Sequence, residues 1–496
     1  MIKLAITENG KTRLIETQPG ETLLAILQKH GYSVYAPCGG RGTCGKCLVQ
    51  VKGEGYVIAC MYYPEKNAEI ILPGKVESMI LTSQSDFLED LPLDIEPPAY
   101  KTKNPWAIAV DMGTTTVVLY FLDLRNGKIE KIDSFINPQN SYGGDVITRI
   151  GYCQEHKNGL KELQQAIVHE INSALESFAK ENSCKADNFE KLIFVGNTTM
   201  LHILLGEDPV SLALAPFVPK FTAKQIRTGK QTGFNVNPHA VIETLPCISA
   251  YVGADVVAGL AALNVPYKNF LFLDIGTNGE IALVKGREIV TCAAAAGPAF
   301  EGANLSCGMG AVAGAVNIFK GKNQYRVIGN IRPVGICGSG IVDIVNYLVL
   351  NNQVDETGFL PEDFVIHKKN NIRVTQQDIR EIQLAKSAIC SGIKILIQEA
   401  GISFDSIEAL FIAGGFGNYI NIQSALNIGL LPYELKDKIY AVGNSAGIGA
   451  LQYAKSNYFK QKTDAIVKRS RYIELSLVDE FTTEFALNMN FSQNSY

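Results

Sequence analysis

The run PCGGRGTCGKC at residues 37–47 leaves its backbone few options. It carries Cys38, Cys44 and Cys47 as C-x5-C-x2-C among four glycines, and twelve residues separate Cys47 from Cys60. Thiolates gathered on such a turn suit an iron–sulfur cluster. Gly39, Gly40, Gly42 and Gly45 let the chain wrap closely without Cβ clashes and bare more backbone N–H groups to the sulfides. The plant-type [2Fe–2S] spacing is C-x4-C-x2-C; here the first gap is one residue longer and the fourth cysteine comes early. The expectation is one [2Fe–2S] cluster on Cys38, Cys44, Cys47 and Cys60. A structural zinc site, which favours two Cys-x-x-Cys knuckles, and scattered core cysteines are the alternatives.

The flanking pattern is that of a small sheet. Residues 2–7 and 12–16 alternate like strands around Asn9-Gly10, a hairpin signal. Residues 21–31 read as a helix with Leu23, Leu24 and Leu27 on its face, and 47–51, 56–59 and 68–72 as further strands. This order resembles a β-grasp ferredoxin and predicts a [2Fe–2S] ferredoxin-type domain over 1–78. Residues 79–105, rich in Asp, Glu and Pro, read as a semi-extended linker on which that domain can swing.

The chain has 496 residues, too many for one core. Its net charge of −4 argues against nucleic-acid binding. No apolar run is long enough to span a membrane, and the first residues lack a signal peptide's pattern. Eleven cysteines then read as reduced thiols or metal ligands in a cytoplasmic protein.

From Trp106 onward buried strands alternate with amphipathic helices, the mark of α/β layers. WAIAVDM, KLIFVGN (191–197), FLFLDIG (270–276) and ALFIAGG (409–415) are the strands. Apolar residues at 160, 163, 167, 171, 175 and 178 make a helical stripe, and Thr375 with Asp378 a capping box. The first subdomain is expected over 106–187 and a C-terminal domain over 188–496.

Two of these strands end alike, in Asp111-Met-Gly113-Thr114-Thr115-Thr116 and Asp274-Ile-Gly276-Thr277-Asn278-Gly279-Glu280. An Asp can hold Mg²⁺ through water, and a Gly turn brings backbone N–H and hydroxyl donors to phosphates. A strand-end Asp capping its own turn is the plainer alternative for each. With VGNTTM (195–200) between them and IAGGFG (412–417) after, the order resembles the acetate and sugar kinase, actin and heat-shock-chaperone ATPases. That resemblance implies a two-lobed actin-like (RNase H-like) fold binding ATP and Mg²⁺. It assigns phosphates to the two hairpins and adenosine to Gly414, Gly415 and Gly417. Asp145 and Glu280 are candidates to orient the attacking water, although Asp145 and Arg149, four apart, also read as a surface helix pair.

The whole pattern resembles the reductive activators of corrinoid-dependent methyltransferases. PCGGRGTCGKC, VDMGTTT (110–116), GGDVITRI (143–150), DIGTNGE (274–280), AAGPAFEGA (295–303), GICGSGIVD (335–343) and GNSAGIGA (443–450) carry the likeness. It implies ATP-dependent transfer of one electron from the cluster to an inactive Co(II) corrinoid protein, regenerating Co(I), with an upstream electron donor. A homodimer is the oligomer allowed for. No D-x-H-x-x-G cobalamin motif occurs, so the corrinoid belongs on the partner. Three alternatives stand beside this reading. One is an ATP-driven donor to another low-potential enzyme, one a small-molecule kinase with a redox-sensing module, and one a chaperone-type ATPase.

Overall fold

The computed structural model describes residues 1–8, 10–42, 46–72, 86–94 and 104–491. Strands Ile2–Glu8 and Lys11–Thr17 pair antiparallel from Ile2↔Thr17 to Glu8↔Lys11. Ala68–Ile71, Leu48–Val51 and Gly55–Ile58 complete a mixed five-stranded sheet. The helix Leu23–Lys29 starts where the Thr22 hydroxyl accepts from Ala25 N, and it buries Leu23, Leu24, Ile26 and Leu27. These join Leu4, Ile6 and Ile70 in a separate small core. This is the β-grasp arrangement expected.

The remainder forms two lobes, each with a six-stranded sheet. In the first, Trp106–Met112, Thr116–Asp123 and Ile129–Ile136 run antiparallel in succession. Phe189–Val195 then returns parallel to Trp106–Met112, and Val241–Thr244 adds outside it. In the second lobe Asn269–Ile275, Gly279–Lys285 and Glu288–Ala294 repeat the meander. Ala409–Ala413 and Ile439–Gly443 repeat the parallel additions. The duplicated unit hinted at by the two Asp-x-Gly-Thr segments is therefore a duplicated sheet. The expected division at residue 187 cuts through the first sheet, because Phe189–Val195, Gln225–Thr228 and Val241–Thr244 complete it. The helix Gly159–Glu181 is the crossover that a parallel return requires; it buries Leu163, Ile167, Ile171, Leu175 and Phe178, five of the six stripe positions. The helix Gln376–Glu399 begins at the Thr375–Asp378 capping box.

Helices Ala254–Ala262 and Ser445–Lys455 cross at backbone contact; a Cβ on Gly449 would lie 2.3 Å from the Ala258 carbonyl oxygen. They hinge the lobes together within one apolar core that runs from Trp106 to Ile466.

Two features differ from a freely swinging head. Residues 86–94 of the expected linker lie on the lobes, and most of the rest falls outside the described residues. Leu88 bridges to Leu263, Glu89 N donates to Ala262 O, and Lys455 and Lys462 pair with Asp90 and Glu89 at 2.7 and 2.9 Å. Phe87 packs on Phe411 and Tyr440. The ring of Phe87 and the two lysine ion pairs together hold the strap down. The ferredoxin-type domain is itself docked: Val34 N donates to Ser141 Oγ, Ala36 N to Asn140 O and Gly144 N to Pro37 O, at 3.0, 3.1 and 3.0 Å. Among the described residues no helix is long and apolar enough to cross a membrane.

Candidate functional site

The cysteine loop and the following strands bring Cys38, Cys47 and Cys60 together; Cys44 lies outside the described residues. Cys60 N donates to Cys47 Sγ at 3.4 Å. Burial raises the Cys60 thiol pKa, the hydrogen bond with Cys47 and the charges of Cys47 and Cys38 raise it further, and a Gly42 backbone bond opposes them. The early fourth cysteine is thus brought to the other two by the short hairpin Leu48–Val51 and Gly55–Ile58. Gly40, at φ +82°, lies so close that an added Cβ would sit 3.9 Å from Cys60 Cβ and 3.2 Å from Leu24 Cδ2. Soft thiols crowded in a cradle without side chains fit a [2Fe–2S] cluster. Among the described residues no three His, Cys, Asp or Glu side chains form a set that could hold a single metal ion. A two-iron cluster does not ask for one, since each iron takes only two of the four cysteines.

Across the cleft the two Gly-Thr hairpins face each other. Asp111 and Asp274 lie near the ends of the first strands of the two meanders, and both are half-buried. Burial pushes Asp111 up to about 7, against a hydrogen bond from the Asn444 side chain. Burial, then the charges of Asp255, Asp111 and Glu301, push Asp274 up to about 8. Asp255, in the first turn of Ala254–Ala262, is raised by burial to about 6. Glu280 stands directly opposite Asp274 across the hairpin, so both project to one face. Burial, then Asp255 and Asp274, raise its pKa well above the carboxylate range. Glu301, from the turn Pro298–Glu301, is raised by burial too. These five carboxyls all resist ionising, which a positive charge drawn among them would relieve.

The hairpin hydroxyls are already engaged. Thr114 Oγ1 accepts from Asn197 Nδ2 at 3.0 Å. Thr115 Oγ1 donates to Glu301 Oε1 at 2.9 Å and Thr277 Oγ1 to Glu301 Oε2 at 2.6 Å, so one carboxylate joins the two hairpins. Thr116 opens the next strand, and Gly113 packs so tightly that a Cβ would meet Thr116 O at 2.7 Å. Gly276 N donates to Asn278 O at 2.9 Å, and Gly279 opens the strand that carries Glu280. Gly414 turns at φ +80° against Asp274, with Oδ1 2.6 Å from an added Cβ, while nothing lies within 4 Å of one at Gly415. Gly417 lies in the short helix Gly414–Tyr419.

Asp145 does something other than expected. It caps the helix Val146–Glu155, and Thr148 N and Oγ1 take its two oxygens at 2.8 and 2.7 Å. The surface pair with Arg149 is corrected as well. Arg149 is fully buried and donates to the carbonyls of Thr114 and Gly143 and to the side chains of Asn140 and Gln139. It braces the first Gly-Thr hairpin from behind. Sequence reading assigned no part to Asp255, Glu301, Asn444, Asn197 or this buried Arg149. Glu301 in GPAFEGA, Asn444 in GNSAG and Asn197 in VGNTTM each stand beside a glycine in a segment already singled out, whereas nothing in the sequence marked Asp255 or the burial of Arg149.

Comparison with known proteins agrees with this arrangement. Residues 6–65 match the 2Fe-2S iron-sulfur cluster binding domain, 106–267 the RACo middle region, and 268–496 the C-terminal domain of RACo, the ASKHA domain. The chain is 31% identical to the corrinoid activation enzyme RamQ of Eubacterium limosum, covering 92% of this chain and 94% of that one. It is 25% identical to a [Co(II) methylated amine-specific corrinoid protein] reductase of Methanosarcina barkeri, over 79% of this chain and 77% of that one. A solved reductive activator for corrinoid, iron-sulfur protein superposes with a TM-score of 0.71 at 26% identity, covering 99% and 98% of the two chains. With these three domain matches and a relative 31% identical over 92% of its length, this chain belongs to the RACo family of corrinoid activators.

Proposed function

We propose that the chain is an ATP-dependent reductive activator of a corrinoid protein of a methyltransferase system. An upstream low-potential donor supplies one electron to the N-terminal domain. The chain passes it to inactive Co(II) on the partner, regenerating Co(I) for methyl transfer. Cys38, Cys44, Cys47 and Cys60 would hold the [2Fe–2S] cluster, which stores and releases one electron at a time at about −400 mV in plant-type centres. Co(I) is a strong reductant, so the transfer runs uphill and needs a second source of free energy.

The cleft supplies that source. Asp111 and Asp274 would hold Mg²⁺ through water, as this cation prefers. Gly113, Thr114, Thr115 and Thr116 with Gly276, Thr277, Asn278 and Gly279 would cradle phosphates, and Gly414, Gly415 and Gly417 would receive adenosine. Glu280, beside Asp274, is the better candidate to orient water; Asp145 is occupied by its own helix. A cytoplasmic setting keeps the thiols reduced.

The observation that carries this reading is the seating of the cysteine loop against the nucleotide cleft, in a chain 31% identical to a named corrinoid activation enzyme. The test is anaerobic. Cluster-loaded protein, reductant and candidate Co(II) corrinoid proteins are mixed with and without MgATP, and Co(I) absorbance is followed. Co(I) that builds only with MgATP is expected. No ATP-dependent Co(I) with any candidate, or a phosphorylated small molecule instead, overturns the proposal.

A further inference from the structure

The hydroxyls of Thr114, Thr115 and Thr277 are not spent alike. Thr115 Oγ1 and Thr277 Oγ1 each give their proton to Glu301. Thr114 Oγ1 does the opposite: it accepts, from Asn197 Nδ2 at 3.0 Å. A hydroxyl has one proton to give besides its lone pairs, so the Thr114 proton is left over. Among the described residues no acceptor takes it, although Thr114 is buried. A buried donor without an acceptor is rare in a folded chain and calls for a partner from outside it.

Which way round the Asn197 amide sits is fixed by the chain. Asn197 is the N-cap of the helix Thr198–Leu205, and its Oδ1 accepts from Met200 N at 2.9 Å. A cap must present an oxygen there, so the amide nitrogen is the end turned to Thr114, and it can only donate. The backbone that carries this amide has little play. A Cβ on Gly196 would lie 2.6 Å from Met112 O, and one on Gly253 would lie 2.5 Å from Asn197 Cα. Gly196 O in turn accepts from Ala254 N at 3.0 Å. Asn197 is thus wedged between the strand that leads into the first hairpin and the helix Ala254–Ala262. We propose that Asn197 is a positioning residue of the nucleotide site: by donating to Thr114 Oγ1 it reserves the Thr114 proton for a phosphate oxygen. Thr115 and Thr277 must part from Glu301 before they can serve a phosphate, whereas Thr114 is set before the ligand arrives, and a donor fixed in advance costs no reorganisation on binding. This rests on the reading of the cleft as an ATP site and adds to it which hydroxyl is prepared for the phosphates and what prepares it.

The test uses full-length, cluster-loaded protein and MgATP as the probe, with affinity from calorimetry and the melting temperature without nucleotide as the control. Thr114→Val, which removes the hydroxyl, should weaken MgATP binding about tenfold, the scale of one hydrogen bond to a charged acceptor. Asn197→Asp still caps the helix but takes the Thr114 proton for itself. It should lose at least as much as Thr114→Val and melt no lower than the original protein. Asn197→Ser also keeps a cap, adds no charge and withdraws the amide, and it should lose about threefold. That loss should persist in a Thr114→Ser background, which keeps a hydroxyl, and vanish in a Thr114→Val background. Should Asn197→Asp melt lower, the Asn197→Ser comparison decides alone. A merely structural role for Asn197 would give the same loss in all three backgrounds, which overturns the positioning role. So does an Asn197→Asp or a Thr114→Val protein that binds MgATP as tightly as the original, and in those cases the nucleotide site itself stands. Unsubstituted protein that binds no MgATP overturns both.

Discussion

His202 lies fully buried in the helix Thr198–Leu205, stacked on Phe221 with ring centroids 4.1 Å apart. Its Nδ1 pairs with Thr198 O at 2.7 Å, and its Nε2 accepts from Lys220 N at 3.2 Å. A ring that must accept at one nitrogen is neutral. Burial lowers its pKa below 6.5, helped by the Lys220 charge and opposed by the Thr198 bond and Glu207. Its contribution to stability is therefore complete above pH 6.5 and lost as pH falls through the lowered value. Unfolding free energy should fall on acidification below pH 6.5, and His202→Gln, an acceptor that does not titrate, should flatten that part of the profile. Denaturant titrations across pH check this. Cys60 makes a sharper case. If it is the fourth ligand, Cys60→Ser should lose most of the visible circular dichroism of the reconstituted protein and bind less iron per chain. An unchanged spectrum would assign the ligand elsewhere. The amino-acid pattern made the cysteine legible, because it follows three others. It could not show that Arg149 is buried, since an Asp four residues earlier reads equally well as a surface partner.

The segment from Asn137 to Arg149 serves two neighbours. Asn137 Nδ2 donates to Gly113 O, Asn137 N to Thr115 O and Arg149 to Thr114 O, which braces the first Gly-Thr hairpin. Ser141, Asn140 and Gly144 meanwhile hold Val34, Ala36 and Pro37. Gly144 is pressed so closely that an added Cβ would lie 2.6 Å from Pro37 Cβ. Gly144→Ala should therefore undock the ferredoxin-type domain and leave the hairpin in place. Small-angle scattering should show a larger radius of gyration, while MgATP still protects the lobes from proteolysis; an unchanged radius would mean that the docking does not depend on this contact. Helices were readable where a cap and a stripe coincide, as at Thr375–Asp378 and over residues 160–178. The strap at 86–94 was not, because its value lies in lysines nearly four hundred residues downstream.

The lobes meet over five acids whose pKa values are all raised, an arrangement that costs stability unless a cation and its ligand enter. MgATP at about 100 times its Kd should add about 2.7 kcal/mol to the unfolding free energy, and a chelator should remove the part due to the metal. Asp274→Asn replaces a carboxyl that burial and three neighbouring acids keep from ionising readily. It should melt higher than the original protein without ligand, gain little from MgATP, and hydrolyse ATP on the order of 100-fold more slowly. Calorimetric melting and phosphate release check the three parts. A variant that is less stable without ligand would show that Asp274 is a structural cap, not a ligand-binding acid.

The amino-acid order was enough for the cysteine loop, the two Asp-Gly-Thr hairpins, the helices with their caps and the class of fold. Each of these depends on residues close along the chain, through turn geometry, periodicity or ligand spacing. The three-dimensional fold was needed for the rest. It brought Asp255 and Glu301 to Asp111 and Asp274, turned Arg149 inward and seated Lys46 on Gly302. Those partners are separated by tens to hundreds of residues. Which of them meet depends on how two sheets of the same topology close on each other, and no local spacing in the chain encodes that.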